Sequence, residues 1–326
     1  MRLSIVAFVA CAMVAGCSGP QATSGSPDGS AAGALEDAEI RMGLLPIVDV
    51  APVHLAIERG LFADEGLTVT VEVVQGGAAA IPALVGGDLD IAYGNWVSFL
   101  LANQEGIALR AVADGVAATP GFTELLALPA SGLEGDPAAM AGATVAVNTL
   151  NNIGELAVRS TLENAGVDPV DVQLVEVPFP DMGAALERGD VDVIWASEPV
   201  PTIVKSTLDA VVVADSFVGE MAAFPVAGYQ ATAEYVGAHP NTIAAFQRAL
   251  AAAVSLIHDD PALVPDVVPS YTSLSAELAA EIMAPAYGSR LEPSSLQRVH
   301  DYLVEFGMLE PGLDVAGLVA PVPASE

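Results

Sequence analysis

The chain has 326 residues, 53% hydrophobic and 16% charged, with 10 Lys+Arg against 41 Asp+Glu and a formal charge of −31. So much apolar material excludes an acidic disordered chain. A negative charge without any basic run argues against nucleic acid or an anionic lipid surface as partner. The length suits two lobes better than one core, and Lys205 is the only lysine.

The chain opens MRLSIVAFVACAMVAGC. Arg2 precedes an apolar run from Leu3 to Val14, too short to cross a hydrocarbon core that needs about 20 helical residues. Residues 1–16 therefore read as a secretory signal. Val14-Ala15-Gly16-Cys17 resembles a bacterial lipobox, with Cys17 as the lipidated new N-terminus. Cys11 leaves with the signal, so no thiol remains for a disulfide, a zinc site or a nucleophile. Loss of Arg2 takes the charge from −31 to −32. Residues 17–37 carry that cysteine on a small, polar, Gly/Pro/Ser-rich tether.

From Ala38 short β-rich runs alternate with helical stretches, which predicts an α/β architecture. The strands expected first are Glu39–Leu45, Thr68–Val74, Leu89–Tyr93, Leu109–Val112 and Phe122–Leu128. A second series follows at Thr144–Val147, Val172–Glu176, Val191–Trp195 and Ala210–Val213. Helices fit between them. One runs Val53–Arg59 and stops at Gly60. Another begins behind Asn152 with Glu155 as its capping-box partner, and a third runs Met182–Arg188 behind Asp181 as N-cap. In Pro240–Asp259 the positions Ile243, Phe246, Leu250, Val254 and Ile257 keep the spacing of one buried helix face.

Two segments echo each other: ALVGGDLDIAYGN from Ala83 and ALERGDVDVIWAS from Ala185. Each reads helix end, glycine turn, Asp-x-Asp, buried strand, aromatic, loop, so two lobes share one βαβ plan. The expected division is 38–127 with 226–326 as lobe one and 128–225 as lobe two, joined by two crossovers. Ligands of such sheets sit beyond the carboxyl ends of the strands, which singles out the loops after Tyr93 and Trp195.

Here the residues resemble a family: the solute-binding proteins of ABC importers for nitrate, taurine, alkanesulfonates and thiamine-pyrimidine precursors. AIERGLFADEGLTVTV from Ala56, the two echo segments, Ser197–Pro199 and ATAEYVGAHPNTIAAFQRAL from Ala231 carry the resemblance, over most of 39–260. It implies a type II periplasmic-binding fold that closes on a small solute and presents it to a membrane permease. The implied state is a monomer held at the outer face of the membrane through the lipid on Cys17. No cofactor, metal or nucleic acid is expected.

The resemblance carries a binding role onto Asn95, Trp96, Trp195, Glu198, Gly76, Gly77 and the stretch Asn148–Asn152. The residues themselves offer three chemistries. Trp96, Trp195, Phe179 and Tyr229 can stack on a flat or apolar ligand. Gly76-Gly77-Ala78 and Asn151-Asn152 put free N–H groups at helix starts, which suits an oxyanion. Asp49, Asp114, Asp181 and Glu198 can accept from an amine or ring N–H. Each aromatic reads equally as core, Asp181 reads first as a cap, and Glu198-Pro199 also reads as a plain helix start.

No Arg or Lys falls in the expected cleft loops, and acids abound, which favours a neutral or cationic nitrogen-rich solute. Two rival readings stay open. An enzyme of pyrimidine-precursor synthesis resembles the same family but needs a placed lysine and an iron-binding cysteine cluster. The four scattered histidines form no metal motif. A lipoprotein that senses without transporting is the other.

Overall fold

The computed structural model describes residues 34–322. The signal and Cys17 lie outside the described residues. The last part of the expected tether does not: Leu35 packs on the core, and the Glu36 carboxylate accepts from the backbone N–H groups of Asn241 and Thr242, both at 3.0 Å. That anchors the start of the body to the first turn of the long helix Pro240–Asp259. That helix buries Ile243, Phe246, Leu250, Val254 and Ile257, as their spacing predicts. None of the described helices is long and apolar enough to cross a membrane.

Two sheets organise the rest. The strands are β1 Glu39–Leu44, β2 Thr68–Val73, β3 Ile91–Asn95, β4 Leu109–Ala117, β5 Thr123–Ala127, β6 Thr144–Val147, β7 Gln173–Glu176, β8 Val193–Ser197, β9 Val211–Asp215, β10 Pro225–Thr232 and β11 Ala286–Tyr287. One sheet has the order β11-β4-β10-β3-β1-β2 and the other β7-β6-β8-β5-β9. Setting β11 aside, the two orders are the same, with β10 and β5 as the antiparallel strand inserted in each. The echo segments end on β3 and β8, the middle strands of this shared plan. They even make the same local bonds. Asp90 accepts from the N–H of Arg41 and Asp192 from that of Thr144, both at 2.8 Å, so each Asp-x-Asp turn clamps the start of its neighbouring strand.

The structure moves three expectations. β5 pairs with β8 and β9, so it belongs to the second sheet and the first crossing falls between Ala117 and Thr123, not near residue 128. β4 runs to Ala117, well past the expected Val112, because β10 and β11 both pair with its far half. Asp181 is not an N-cap: the helix begins at Phe179, with Pro178 as N-cap and proline in its first turn.

Candidate functional site

The lobes meet across a cleft. Val48 N–H donates to Glu198 O at 2.9 Å, and Ser98 Oγ to Asn151 O at 2.8 Å. Gln75 and Asn148 exchange side-chain-to-backbone bonds at 3.2 and 3.3 Å. Between these contacts lies a cavity of about 40 Å³.

Lobe one lines it with Leu45, Ile47, Asp49, Gly77, Tyr93, Gly94, Asn95 and the start of β10. The helix Gly77–Gly86 reaches this wall only because its first residue lacks a side chain: a Cβ on Gly77 would stand 2.6 Å from Gly94 Cα. Asn95 ends β3 and caps the helix Trp96–Gln104 by accepting from Ser98 N–H at 2.8 Å. Tyr93 and Asn95, two apart on one strand, share a face. Tyr93 donates its hydroxyl to Asp49 Oδ2 at 2.8 Å.

Lobe two supplies Phe122, Thr123, Asn148, Asn152, Ile153, Phe179, Trp195 and Ser197. Trp195 and Ser197 share a face of β8, and Thr123 of β5 stands opposite Ser197 in register. The indole lies over the start of the helix Ile153–Asn164, where a Cβ on Gly154 would meet the ring at 2.5 Å. Phe179 leans on it, ring centroids 6.1 Å apart. Asn152 caps that helix by accepting from Glu155 N–H at 3.1 Å, and Glu155 accepts in return from Asn151 N–H at 2.9 Å.

Charge at the site is one-sided. Asp49, 3% exposed, is the carboxylate on the wall. Burial raises its pKa to about 6, against the lowering effect of bonds from Tyr93, its own backbone and Ser197. Ser197 Oγ reaches Asp49 Oδ1 from the other lobe at 3.3 Å. No Arg or Lys lines the cavity. Two of the lining residues carry a buried polar atom with no partner: Trp195 at Nε1 and Thr123 at Oγ1. No group of three or more metal-ligating side chains occurs among the described residues.

Of the residues expected at the site, Asp49, Gly77, Asn95, Asn148, Asn152 and Trp195 line the cavity. Gly76 and Asn151 stand in the contact between the lobes, and Ala78 lies one residue behind Gly77, off the wall. The Asn151 N–H group is taken by Glu155, so the start of that helix is less free for an oxyanion than expected. Trp96 is not a stacking platform. It is fully buried in lobe one, edge-on to Phe99 and pressed on Gly228. Tyr229 is core as well, between Tyr93 and Phe246. Asp114 sits on β4 beside Gly288 and not in a cleft loop; burial raises its pKa to about 6. Glu198 does not line the cavity: it stands just before Pro199, the N-cap of the helix Val200–Leu208, and accepts from the Thr202 N–H and hydroxyl at 3.2 and 2.9 Å, with burial raising its pKa to about 7. Tyr93 and Thr123 were missed, and Ser197 was expected only as part of the loop after Trp195. The echo held the signal for two of them, because Tyr93 and Trp195 correspond, as do Asn95 and Ser197.

A family model for the NMT1-like family matches residues 33–268. No curated protein sequence matches the chain. Among solved structures, the chain is similar to the alkanesulfonate-binding protein SsuA of Xanthomonas axonopodis pv. citri bound to MOPS. That likeness has a TM-score of 0.76 at 19% identity, over 88% of this chain and 99% of that one. It is similar to the nitrate-binding protein NrtA of Synechocystis PCC 6803, with TM-score 0.73 at 16% identity over 88% and 87%. The desulfurization enzyme DSZB aligns with TM-score 0.64 at 16% identity over 87% and 97%. These likenesses establish the two-lobed periplasmic-binding-protein fold.

Proposed function

Because the chain belongs to the NMT1-like family, we propose that it is the extracytoplasmic solute-binding component of an ABC importer. In this reading it closes on a small solute, of nitrogen-rich pyrimidine or amine type or of nitrate, sulfonate or taurine type, and delivers it to a membrane permease. It works as a monomer without cofactor, held at the outer face of the membrane by a lipid on Cys17. The observation that carries the reading is the cavity itself. Both lobes build it, and its wall keeps Trp195 Nε1 and Thr123 Oγ1 buried and unpaired, as a site completed by its ligand would. A solute touching both walls stabilises the closed arrangement because it has partners on both only there.

Thermal-shift screening with pyrimidines, polyamines, taurine, alkanesulfonates and nitrate tests this: at least one class raises the unfolding temperature, and no shift from any class would sink the reading. Mass spectrometry of the processed N-terminus tests the anchor, since an unmodified residue 17 excludes it. A second reading, an enzyme on the same fold, is favoured by the likeness to the desulfurization enzyme. Turnover of a bound solute by the purified protein would establish it in place of the first.

A further inference from the structure

The two walls of the cavity ask for opposite things from a ligand. On lobe one, Asp49 is an acceptor. Its Oδ2 holds the Tyr93 hydroxyl at 2.8 Å, whereas its Oδ1 has from side chains only the 3.3 Å contact with Ser197. A carboxylate has capacity for further donors, and a contact of that length leaves Oδ1 under-used. On lobe two the indole N–H of Trp195 can only donate, and it is 2% exposed with no acceptor. The Thr123 hydroxyl, 1% exposed, is also unpartnered. No cation on the wall offsets Asp49. An ion offering only acceptor oxygens would meet a like charge in a low-dielectric space, with nothing there to neutralise either.

Resting on the solute-binding reading, we propose that the cavity selects a dipolar solute, one that donates N–H from an amine, amidine or amino-substituted ring to Asp49 and accepts from Trp195 Nε1 and Thr123 Oγ1, and that it rejects acceptor-only oxyanions. Asp49 is then the specificity-determining residue of lobe one, and Trp195 with Thr123 its counterpart in lobe two. A solute with both poles bridges the lobes, whereas one with a single pole binds one wall.

Calorimetric titration of the full chain with matched probes tests this. Taurine is set against ethanesulfonate, which has the same skeleton without the ammonium; cytosine is set against nitrate. The amine-bearing probes bind at least about tenfold tighter than the acceptor-only ones, the size expected for a charge-assisted hydrogen bond. Asp49→Asn, which keeps the shape and an acceptor for Tyr93, brings the two classes within about threefold of each other. Trp195→Phe and Thr123→Val weaken the amine-bearing probes without changing the ratio set by Asp49. Equal or tighter binding of ethanesulfonate or nitrate by the unmodified chain overturns the inference and leaves the cleft as a solute site. A ratio unchanged in a folded Asp49→Asn protein also overturns it. Failure of every probe to bind overturns the inference, and the reading on which it rests falls with it only when the wider thermal-shift screen is also empty.

Discussion

Tyr93 of lobe one and Trp195 of lobe two stand at corresponding places in the echo, each two residues before the end of the middle strand of its sheet. Their polar atoms fare differently. The Tyr93 hydroxyl is committed to Asp49, whereas the Trp195 indole N–H has no partner. The helix starts beside them differ too. Lobe one places Gly77 there, bare enough to touch Gly94, and lobe two places Phe179 against the indole. One backbone plan thus makes an acidic, backbone-lined wall and an aromatic, hydroxyl-lined wall. Topology decides where a ligand sits, and a few substitutions at equivalent positions decide what each half can offer it.

The comparison can be broken most forcefully at the tryptophans. Trp96→Ala removes core from lobe one and costs about 3–5 kcal/mol of stability, whereas Trp195→Phe, which keeps an aromatic ring, costs much less and weakens solute binding. Denaturant unfolding with calorimetry separates the two: the first variant is read in stability and the second in affinity, and a Trp195→Phe protein that binds solute as tightly as the unmodified chain would deny Trp195 its place on the wall. Gly77→Ala comes next. Its new methyl meets backbone, so about 1–3 kcal/mol is lost, read as a lower denaturant midpoint.

A pH series probes the buried carboxylates of both lobes. Burial lifts the Asp49 pKa to about 6 from an ordinary 3.8, so the folded state holds the proton more firmly than the unfolded chain. Its contribution to stability is therefore full at low pH and lost as pH rises through about 6. Between pH 7.5 and 5 the gain is about 1 kcal/mol from Asp49 alone, and Asp114 and Glu198 act with the same sign. The unfolding temperature should rise over that interval, by less in Asp49→Asn; a fall on acidification would refute the sign. The smallest effects should come from the caps. Asn95→Ala in lobe one and Asn152→Ala in lobe two should each cost about 1 kcal/mol, the second somewhat more because Asn152 also donates to Asn148 and Thr149. Thermal melts of the pair measure that difference.

Much of this could be read from the residues. Alternation and helical spacing located most strands and helices, and the echo placed β3 and β8 in equivalent positions. What failed was information held only in three dimensions. Phe122–Leu128 looks like a strand, but no local pattern says which sheet it joins. Asp114-Gly115 has turn chemistry, and pairing with β10 and β11 carries β4 straight through it. At the site, Asp49, Asn152 and Trp195 stood out because acids, caps and aromatics are conspicuous after strands. Thr123 and Ser197 did not, since a hydroxyl on a buried strand has no signature until its neighbours across the sheet are known.

Arg298, on the helix Pro293–Glu305 of lobe one, donates to three carbonyls of the second crossing, those of Glu220, Ala222 and Ala223, at 2.8 to 3.0 Å and lies over the Phe224 ring. The first crossing is tied to the second by one backbone bond, Ala118 N–H to Phe224 O at 2.9 Å. In mechanical terms the pivot is riveted to one leaf. The second crossing is thereby fastened to lobe one, so a swing of lobe two would be taken up by torsions near Ser216–Gly219 and in the stretch Ala118–Phe122, and would part Tyr302 of the same helix from Ser160. Loosening that rivet with Arg298→Ala would spread the bend over a longer arc and make the pivot softer, leaving the cavity wall untouched.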